Sequence, residues 1–286
     1  MLIVVVLAWG FAWPVNKLIL QELSPLWTAG LRAAIATVAM FAIMPLVGRL
    51  RVPRRHDMPV VLSISLLHMT GFTVLSGIGL QLASTGRSVV LAYTTPLWVV
   101  PGAHLFLGER ISVGRALGAV MGLAGLGVLF NPLVFDWGDR AAVLGNLALL
   151  GSALCWAASI LHIRGHRWHA PTLDLVPWEL LIATVVLLPL AYLVDGWPTP
   201  RWSTQLFLLM LYGGIPGAAI AYWATAVASR GLPSVTMSLG LLLAPLVSIT
   251  TATLALGEPL SWPLLVAIVL IIGGVAVGAR DRATGR

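Results

Sequence analysis

Charge is scarce in this chain. Only 9% of its 286 residues are Asp, Glu, Lys or Arg, where a soluble domain carries roughly 25%. So little charge cannot cover a water-facing surface, which excludes a soluble globular enzyme and a disordered chain. There is one cysteine, Cys155, inside an apolar stretch. It has no partner for an internal disulfide, which excludes a disulfide-rich secreted scaffold. No Cys/His cluster has metal-ligand spacing, so neither a metal nor another cofactor is expected. No Gly-x-x-x-x-Gly-Lys phosphate loop occurs, which argues against ATP hydrolysis by this chain. Basic residues are also absent ahead of the first apolar run, which starts at Leu2. The first segment is therefore expected to remain as a spanning helix rather than to be cleaved as a signal peptide.

What the sequence has in quantity is hydrophobicity, at 59% of residues, and that leaves an integral membrane protein. A spanning helix needs about 20 apolar residues. Runs bounded by charge, Pro and Gly give ten: 2–21, 25–47, 58–82, 84–106, 112–133, 140–164, 171–195, 202–229, 231–256 and 260–279. The joins are short, so consecutive helices are antiparallel neighbours and no soluble domain fits between them. The net charge of +7 comes from basic residues in those joins, the pattern of cytoplasmic anchoring charge rather than of nucleic-acid binding. With the N-terminus cytoplasmic, inner loops and tail hold 12 Lys/Arg, the outer loops hold 4 (Lys17, Arg87, Arg140, Arg201), and Arg32 lies inside a span. Both termini are thus expected in the cytoplasm. Trp27, Trp137, Trp168, Trp197, Trp202 and Trp262 fall near span ends, where interfacial anchoring is the ordinary reading.

The chain reads as a duplication. Pro96, Leu107-Gly108-Glu109 and Ile111-Ser112 are matched by Pro245, Leu256-Gly257-Glu258 and Leu260-Ser261, every pair offset by 149 residues. Gly-rich helices follow both, at Gly122–Gly127 and Gly273-Gly274. Leu7-Ala8-Trp9 matches Leu154-Cys155-Trp156 at an offset of 147, and Pro25 matches Pro171 at 146. The halves are expected at 1–133 and 140–279, with a cytoplasmic tail at 280–286. Five helices in each half, an odd number, invert the second half relative to the first, a common plan in secondary transporters. The fold expected is therefore all-α and membrane-embedded, ten transmembrane helices as two inverted five-helix repeats around a central cavity. Duplication that merely enlarged a membrane protein is the alternative.

These features, the paired Pro…Leu-Gly-Glu elements and the Gly-rich helices behind them, resemble the EamA branch of the drug/metabolite transporter superfamily over nearly the whole chain. The Trp-rich early helices and the size are most similar to its aromatic and hydrophobic amino acid exporters. That resemblance implies a monomeric exporter of small neutral amino acids in a bacterial inner membrane, with no nucleic-acid partner. Export of another metabolite or drug is the alternative, followed by a channel or an intramembrane enzyme. A channel would show a continuous polar stripe. An enzyme would need a nucleophile and base on facing helices, for which His68 with Ser65 or Ser76 is the one faint candidate.

Several residues are candidates for a site. Pro96 and Pro245 each free the carbonyl four residues earlier, Ala92 and Leu241. Paired mid-depth breaks suggest a substrate site, against a plain kink satisfied by neighbouring helices. Freed carbonyls would suit a substrate ammonium, with Tyr93, Thr94 and Thr95 adding hydroxyls. Trp9, Trp13, Trp98, Trp156, Trp178 and Trp223 lie within spans, and a buried indole N–H wants a partner. Trp13, Trp98 and Trp156 with Phe72, Tyr93 and Tyr222 would form an aromatic, weakly polar chamber. His68 is a deep titratable candidate for proton coupling, or else a histidine bonded to Ser65 or Tyr93. Arg32 and Glu179 occupy equivalent places in the two halves, and ionisable groups there cost at least about 2.5–3.5 kcal/mol each. Their levels differ by roughly 8 Å along the membrane normal, which suits a structural charge or gate more than substrate contact. The related exporters carry a basic residue at this place in both halves, and Glu179 departs from that pattern. Glu109 reads as a solvated pair with Arg110, and Glu258 as a cap of the helix after it, with Ser112 and Ser261 in the same role.

Overall fold

The structure is a computed structural model that describes residues 1–46, 48–131, 133, 135–231, 237 and 240–284. Among these the chain is helical, with no strand. The helices are α1 (Leu2–Ile19), α2 (Pro25–Leu46), α3 (Met58–Leu82), α4 (Thr85–Leu107), α5 (Val113–Leu129), α6 (Arg140–Gly165), α7 (Thr172–Asp195), α8 (Thr204–Gly214 continuing to Gly231), α9 (Leu243–Leu256) and α10 (Trp262–Thr284). Eight are long and apolar enough to cross a membrane. The other two, α5 and α9, are shorter; 17 residues give a rise of about 26 Å and 14 give about 21 Å, below the roughly 30 Å of a hydrocarbon core. The start of the expected ninth span, residues 232–236, 238 and 239, lies outside the described residues, as does Arg286 of the tail.

Most boundaries match the charge and proline signals, and two differ for physical reasons. The fifth span ends at Leu129 rather than 133, because Pro132 disfavours helical geometry in the residue ahead of it. The last helix does not stop at 279 but continues through Thr284, since Arg-Asp-Arg-Ala contains no helix breaker. Large apolar side chains such as Phe106, Val113 and Leu254 are 78%, 86% and 81% exposed, which identifies the outer surface as lipid-facing rather than water-facing.

The repeated Leu-Gly-Glu is a helix stop. Gly108 and Gly257 have φ of +66° and +69°, and their N–H groups bond back to Ala103 and Ala252, so both halves close a helix with a left-handed cap that glycine makes without strain. The following carboxylates then do different work, and neither works as the sequence suggests. Glu258 does not cap α10. It reaches across to the start of α4, accepting from the Thr85 N–H at 2.7 Å, the Thr85 hydroxyl at 2.7 Å and the Gly86 N–H at 3.4 Å. A carboxylate on orphan N–H groups at a helix N-terminus is favourable on both hydrogen-bonding and dipole grounds. Glu109 is held by Arg164 of α6 and by Arg115 at 3.4 Å, not by Arg110. Ser261 does cap α10, through the Leu264 N–H, whereas the buried Ser112 hydroxyl has no partner.

Helices in equivalent positions pack against each other and run antiparallel. Between α2 and α7, the Trp27 indole donates to Gly196 O at 3.0 Å at one end, and Arg49 meets Asp174 at 3.5 Å at the other. Halfway along, the Thr37 and Thr184 hydroxyls are 3.0 Å apart. These threonines are offset by 147 residues, the spacing of the early repeat. Between α5 and α10 the backbones nearly touch: a Cβ on Gly118 would lie 2.3 Å from Gly274 O, and one on Gly125 would lie 3.3 Å from Ala267 O. At an offset of 149 each of these contacts is the other with the halves exchanged.

Substituting Gly118→Ala forces these two helices apart against backbone that cannot yield. Overpacking costs typically about 1–3 kcal/mol, so the melting temperature of the detergent-solubilised protein is expected to fall by several degrees. Gly127→Ala, which meets nothing within 4 Å, should leave it unchanged.

Candidate functional site

Two helices lose their regular winding at the same level of the fold. In α3 a π-helical stretch covers Ile64–Phe72, and in α8 another covers Ile215–Ile220. The later offset of 149 places the second over residues 66–71 of the first. Such widened turns recur at functional sites because they re-aim side chains. Here the first carries His68 and Phe72 to the protein centre. The helix α4 breaks in two, Thr85–Ala92 and Thr95–Leu107, with Tyr93 and Thr94 at the break ahead of Pro96. The break is closed locally: the Thr95 hydroxyl donates to the Ala92 carbonyl at 2.8 Å and the Thr94 hydroxyl to the Leu91 carbonyl at 2.6 Å. The carbonyl freed by Pro96 therefore already has a partner within the chain, which corrects the expectation that it awaits an ammonium.

Around these elements stands a continuous aromatic cluster. The His68 ring stacks on Trp156 with centroids 5.2 Å apart and planes 7° apart, and meets Phe72 at 5.5 Å and Tyr222 at 6.0 Å. Phe72 lies 5.2 Å from Trp156 and 6.5 Å from Trp13, Tyr93 lies 6.1 Å from Trp156, and Trp9 lies 6.3 Å from Tyr222. Ser65 does not serve His68, since its hydroxyl donates to Val61 O. Two cavities flank the cluster and share Tyr93 and Trp156 as their common wall. One, of about 100 Å³, is lined by Trp13, His68, Phe72 and Tyr222 together with Arg32, Asn16 and Thr28. The other, of about 280 Å³, is lined by Pro96, Leu97, Leu242 and Gly274, and carries Arg115 and Arg164 in its lining.

The structure thus brings together Trp13, His68, Phe72, Tyr93, Trp156 and Tyr222, and places Pro96 across the shared wall. Trp98 and Pro245 line neither cavity. The Trp98 indole donates to the Thr94 hydroxyl at 3.4 Å, and Pro245 is buried in the first turn of α9. Trp178 lines neither cavity; its indole donates to the Arg51 carbonyl in the loop after α2, at 2.8 Å. Among the described residues Arg32 and Glu179 form no ion pair with each other; Arg32 and Tyr222 line the smaller cavity, and Glu179 does not. The side chain of Arg32 crosses Gly213 of α8, where a Cβ would come within 2.7 Å of its Nε.

What the sequence reading missed of the polar lining is Asn16 and Thr28, which line the smaller cavity together with Arg32. Among the described residues Asn16 Oδ1, Thr28 Oγ1 and Arg32 Nε are buried with no hydrogen-bond partner, as is Glu179 Oε1. Asn16 stands next to Lys17, the first charged side chain, and six residues before Glu22, so by sequence alone it belongs to a span end. Lys17 turns away from the cavity and donates to Leu80 O and Ala83 O at 2.6 and 2.7 Å, closing the end of α3.

Long apolar helices, two of them widened and one broken around a buried chamber, define a multi-pass membrane protein built to hold a small solute rather than to carry out covalent chemistry. The family is established by comparison: the model of the EamA-like transporter family matches residues 1–131 and 143–279, and this chain belongs to that family. It is a membrane transporter, not an enzyme. Among its relatives, the uncharacterized transporter YoaV of Bacillus subtilis is 25% identical over 274 residues, covering 96% of this chain and 94% of the relative. A probable amino-acid metabolite efflux pump of Escherichia coli is 27% identical, covering 96% of this chain and 92% of the relative. A solved crystal structure superposes with a TM-score of 0.69 at 24% identity over 99% of this chain and 97% of its own, which establishes the fold alone.

The Thr95 hydroxyl is what keeps the broken helix tolerable in hydrocarbon. Replacing it, Thr95→Val, leaves the Ala92 carbonyl unpaired at a cost of about 1–3 kcal/mol. Thermal unfolding of the purified protein should begin several degrees lower, and Thr95→Ser should restore the wild-type value.

Proposed function

We propose that this transporter exports small neutral solutes with an aromatic or apolar body, amino acids foremost, by alternating access. The observation that carries the reading is the smaller cavity, where Arg32 Nε and Asn16 Oδ1 lie buried without partners beside an aromatic cage. An amino acid complements that set: its carboxylate accepts from Arg32, its ammonium donates to Asn16, and its side chain lies among Trp13, Phe72, Trp156 and Tyr222. In a site that excludes water, such matching is worth more than in solvent, because each unpaired group otherwise carries its desolvation cost. Arg32 is here a substrate-binding charge rather than half of a structural pair, and Glu179 a structural charge outside the cavity lining. The direction, outward, is supported by the efflux activity in the name of the Escherichia coli relative.

The mechanism follows from the repeat. Antiparallel contact between α2 and α7 and between α5 and α10, the Thr37–Thr184 contact and the matched π-helical stretches support two inverted halves of five spans each, 1–133 and 140–279, with α5 and α9 as the short members of the ten. The family match over two stretches of nearly equal length supports it as well. In such an arrangement either half can adopt the conformation of the other, which moves the opening from one side of the membrane to the other around a fixed site. The Tyr93–Trp156 wall between the cavities is the partition that this motion opens. The bias of Lys/Arg toward one set of loops supports a cytoplasmic location for both termini, and the bacterial relatives support an inner-membrane location.

Two experiments test these points. In proteoliposomes, labelled tryptophan is expected to enter saturably and to be driven by counterflow against unlabelled tryptophan. Arg32→Gln should reduce that flux at least about 10-fold, the loss of one charge-assisted hydrogen bond, while Trp98→Phe, outside both cavities, should not. Full activity of Arg32→Gln would exclude the binding role, and preference for nucleosides or lipophilic cations in a competition panel would exclude the substrate class. For topology, cysteines introduced as Arg110→Cys and Pro259→Cys in a Cys155→Ala background occupy equivalent positions in the two halves. They should react with an impermeant maleimide from opposite sides of the membrane, and labelling from one side would exclude inversion.

A further inference from the structure

Away from the chamber, at the basic end of the fold, the loop between α2 and α3 meets the loop between α6 and α7. The first supplies His56 and Asp57, the second His166 and His169. The rings of His56 and His169 stand edge to face with centroids 4.8 Å apart, and His56 Nε2 lies 3.5 Å from Asp57 Oδ1. Donor atoms of His56, Asp57 and His169 all lie within 4.8 Å of one another. The two imidazoles are exposed, whereas Asp57 is 1% exposed.

Asp57 is fixed by the backbone. Its Oδ1 accepts the His169 N–H at 2.9 Å and the Ala170 N–H at 3.4 Å. Burial works to raise the pKa of this carboxyl, but those N–H groups, with the neighbouring His56, outweigh it and hold the group below its ordinary value. The second oxygen, Oδ2, is buried and has no hydrogen-bond partner. A buried carboxylate with one oxygen unmatched is costly unless a cation or donor completes it, and the His56 and His169 imidazoles have donor atoms within 4.8 Å.

We propose that His56, Asp57 and His169 form a binding site for a divalent transition metal of the zinc class. Two imidazoles and a carboxylate are the donors such borderline ions accept, with water in the remaining position, while calcium and magnesium call for oxygen donors throughout. Donors about 2.0–2.1 Å from a tetrahedral ion stand about 3.4 Å apart, so the present spread closes by little more than an ångström. Rotation of the two exposed rings supplies that movement, while the backbone N–H groups keep Asp57 in place, as outer-shell donors do for metal-bound carboxylates. His166 stands alongside, its Nε2 3.0 Å from the His56 carbonyl, and completes the wall of the site. Spacing rules cannot find this set, because His56 and His169 are 113 residues apart in the chain.

The position gives the ion a consequence. His56-Asp57 follows α2 and His169 precedes α7, so a bound metal joins the two halves where Arg49 and Asp174 already meet. Occupancy therefore restrains any motion that separates those helix ends, and the site is regulatory in character, independent of what the chamber carries.

The test is zinc sulfate titrated calorimetrically into the tag-free, detergent-solubilised full chain. One Zn²⁺ per chain is expected to bind, with an accompanying rise in melting temperature. His56→Ala and His169→Ala should each weaken binding at least about 10-fold and abolish the zinc-dependent rise, while unfolding without zinc at the wild-type temperature, since neither ring is buried. His104→Ala, elsewhere on the same face, should bind as wild type. Absence of saturable binding, or binding that survives both of the first two substitutions, would overturn the site whatever the transport assays show.

Discussion

A polar group inside a bilayer has no water to fall back on, and the rest of this structure is arranged around that constraint. The helix ends that lie near the core are closed by side chains from elsewhere: Glu258 on the start of α4, Lys17 on the end of α3, Thr95 on the break at Pro96. Arg87 is absorbed in the same way, by Asn146 Oδ1 at 2.6 Å, Leu129 O at 2.9 Å and the face of Phe135 at 4.8 Å. Against that background of matched groups, the unpaired Asn16, Thr28 and Arg32 are informative. Their shared location on one small cavity is what gives the chamber a chemical identity, and the substrate class proposed above rests on it.

The same constraint explains how two halves hold together without a soluble-type core. Lipid tails are as apolar as leucine, so helix association relies on close packing and interhelical hydrogen bonds. The α5–α10 pair uses the first, through Gly118 and Gly274. The α2–α7 pair uses the second at both ends and through Thr37 and Thr184 in the middle. Contacts between equivalent residues concentrate on these two pairs, which leaves α1, α3, α4, α6, α8 and α9 to enclose the space between them. Widening and breakage of helices are confined to that enclosing set, where side chains of the chamber, rather than lipid, lie against the irregular backbone.

Much of this was legible in the sequence because the signals are local and chemical. Scarce charge and long apolar runs gave the membrane setting and most helix boundaries. The doubled Leu-Gly-Glu gave the helix stops in both halves, since a left-handed cap after a helix asks for glycine. Aromatic composition pointed to Trp13, His68, Phe72, Tyr93, Trp156 and Tyr222, which the fold gathers into one cluster. Rotation about the helix axis was not legible: Trp98 is two residues beyond Pro96 and faces away from both cavities. Nor were pairings between distant segments, and so Glu109 and Glu258 were assigned to near neighbours when Arg164 and Thr85, which bond them, lie 55 and 173 residues away. The helix break at Pro96 was found, but not its remedy, because a hydroxyl one residue ahead of the proline satisfies the very carbonyl that the ring sets free.

The division of labour between the two buried charges follows from the same reasoning. A guanidinium and a carboxylate offset by 147 residues, the spacing of the early sequence repeat, would be expected to neutralise each other if stability were all that mattered. They do not meet. Arg32 is turned over Gly213 and Gly217 and belongs to the cavity lining, while Glu179, 2% exposed, is outside that lining. A charge held unpaired beside an open space is destabilising by itself, and such a cost persists where it is recovered on binding. On the binding role proposed for Arg32, Glu179 then has a physical sense: a buried carboxylate that does not pair with the guanidinium leaves it to meet a carboxylate that a substrate would bring.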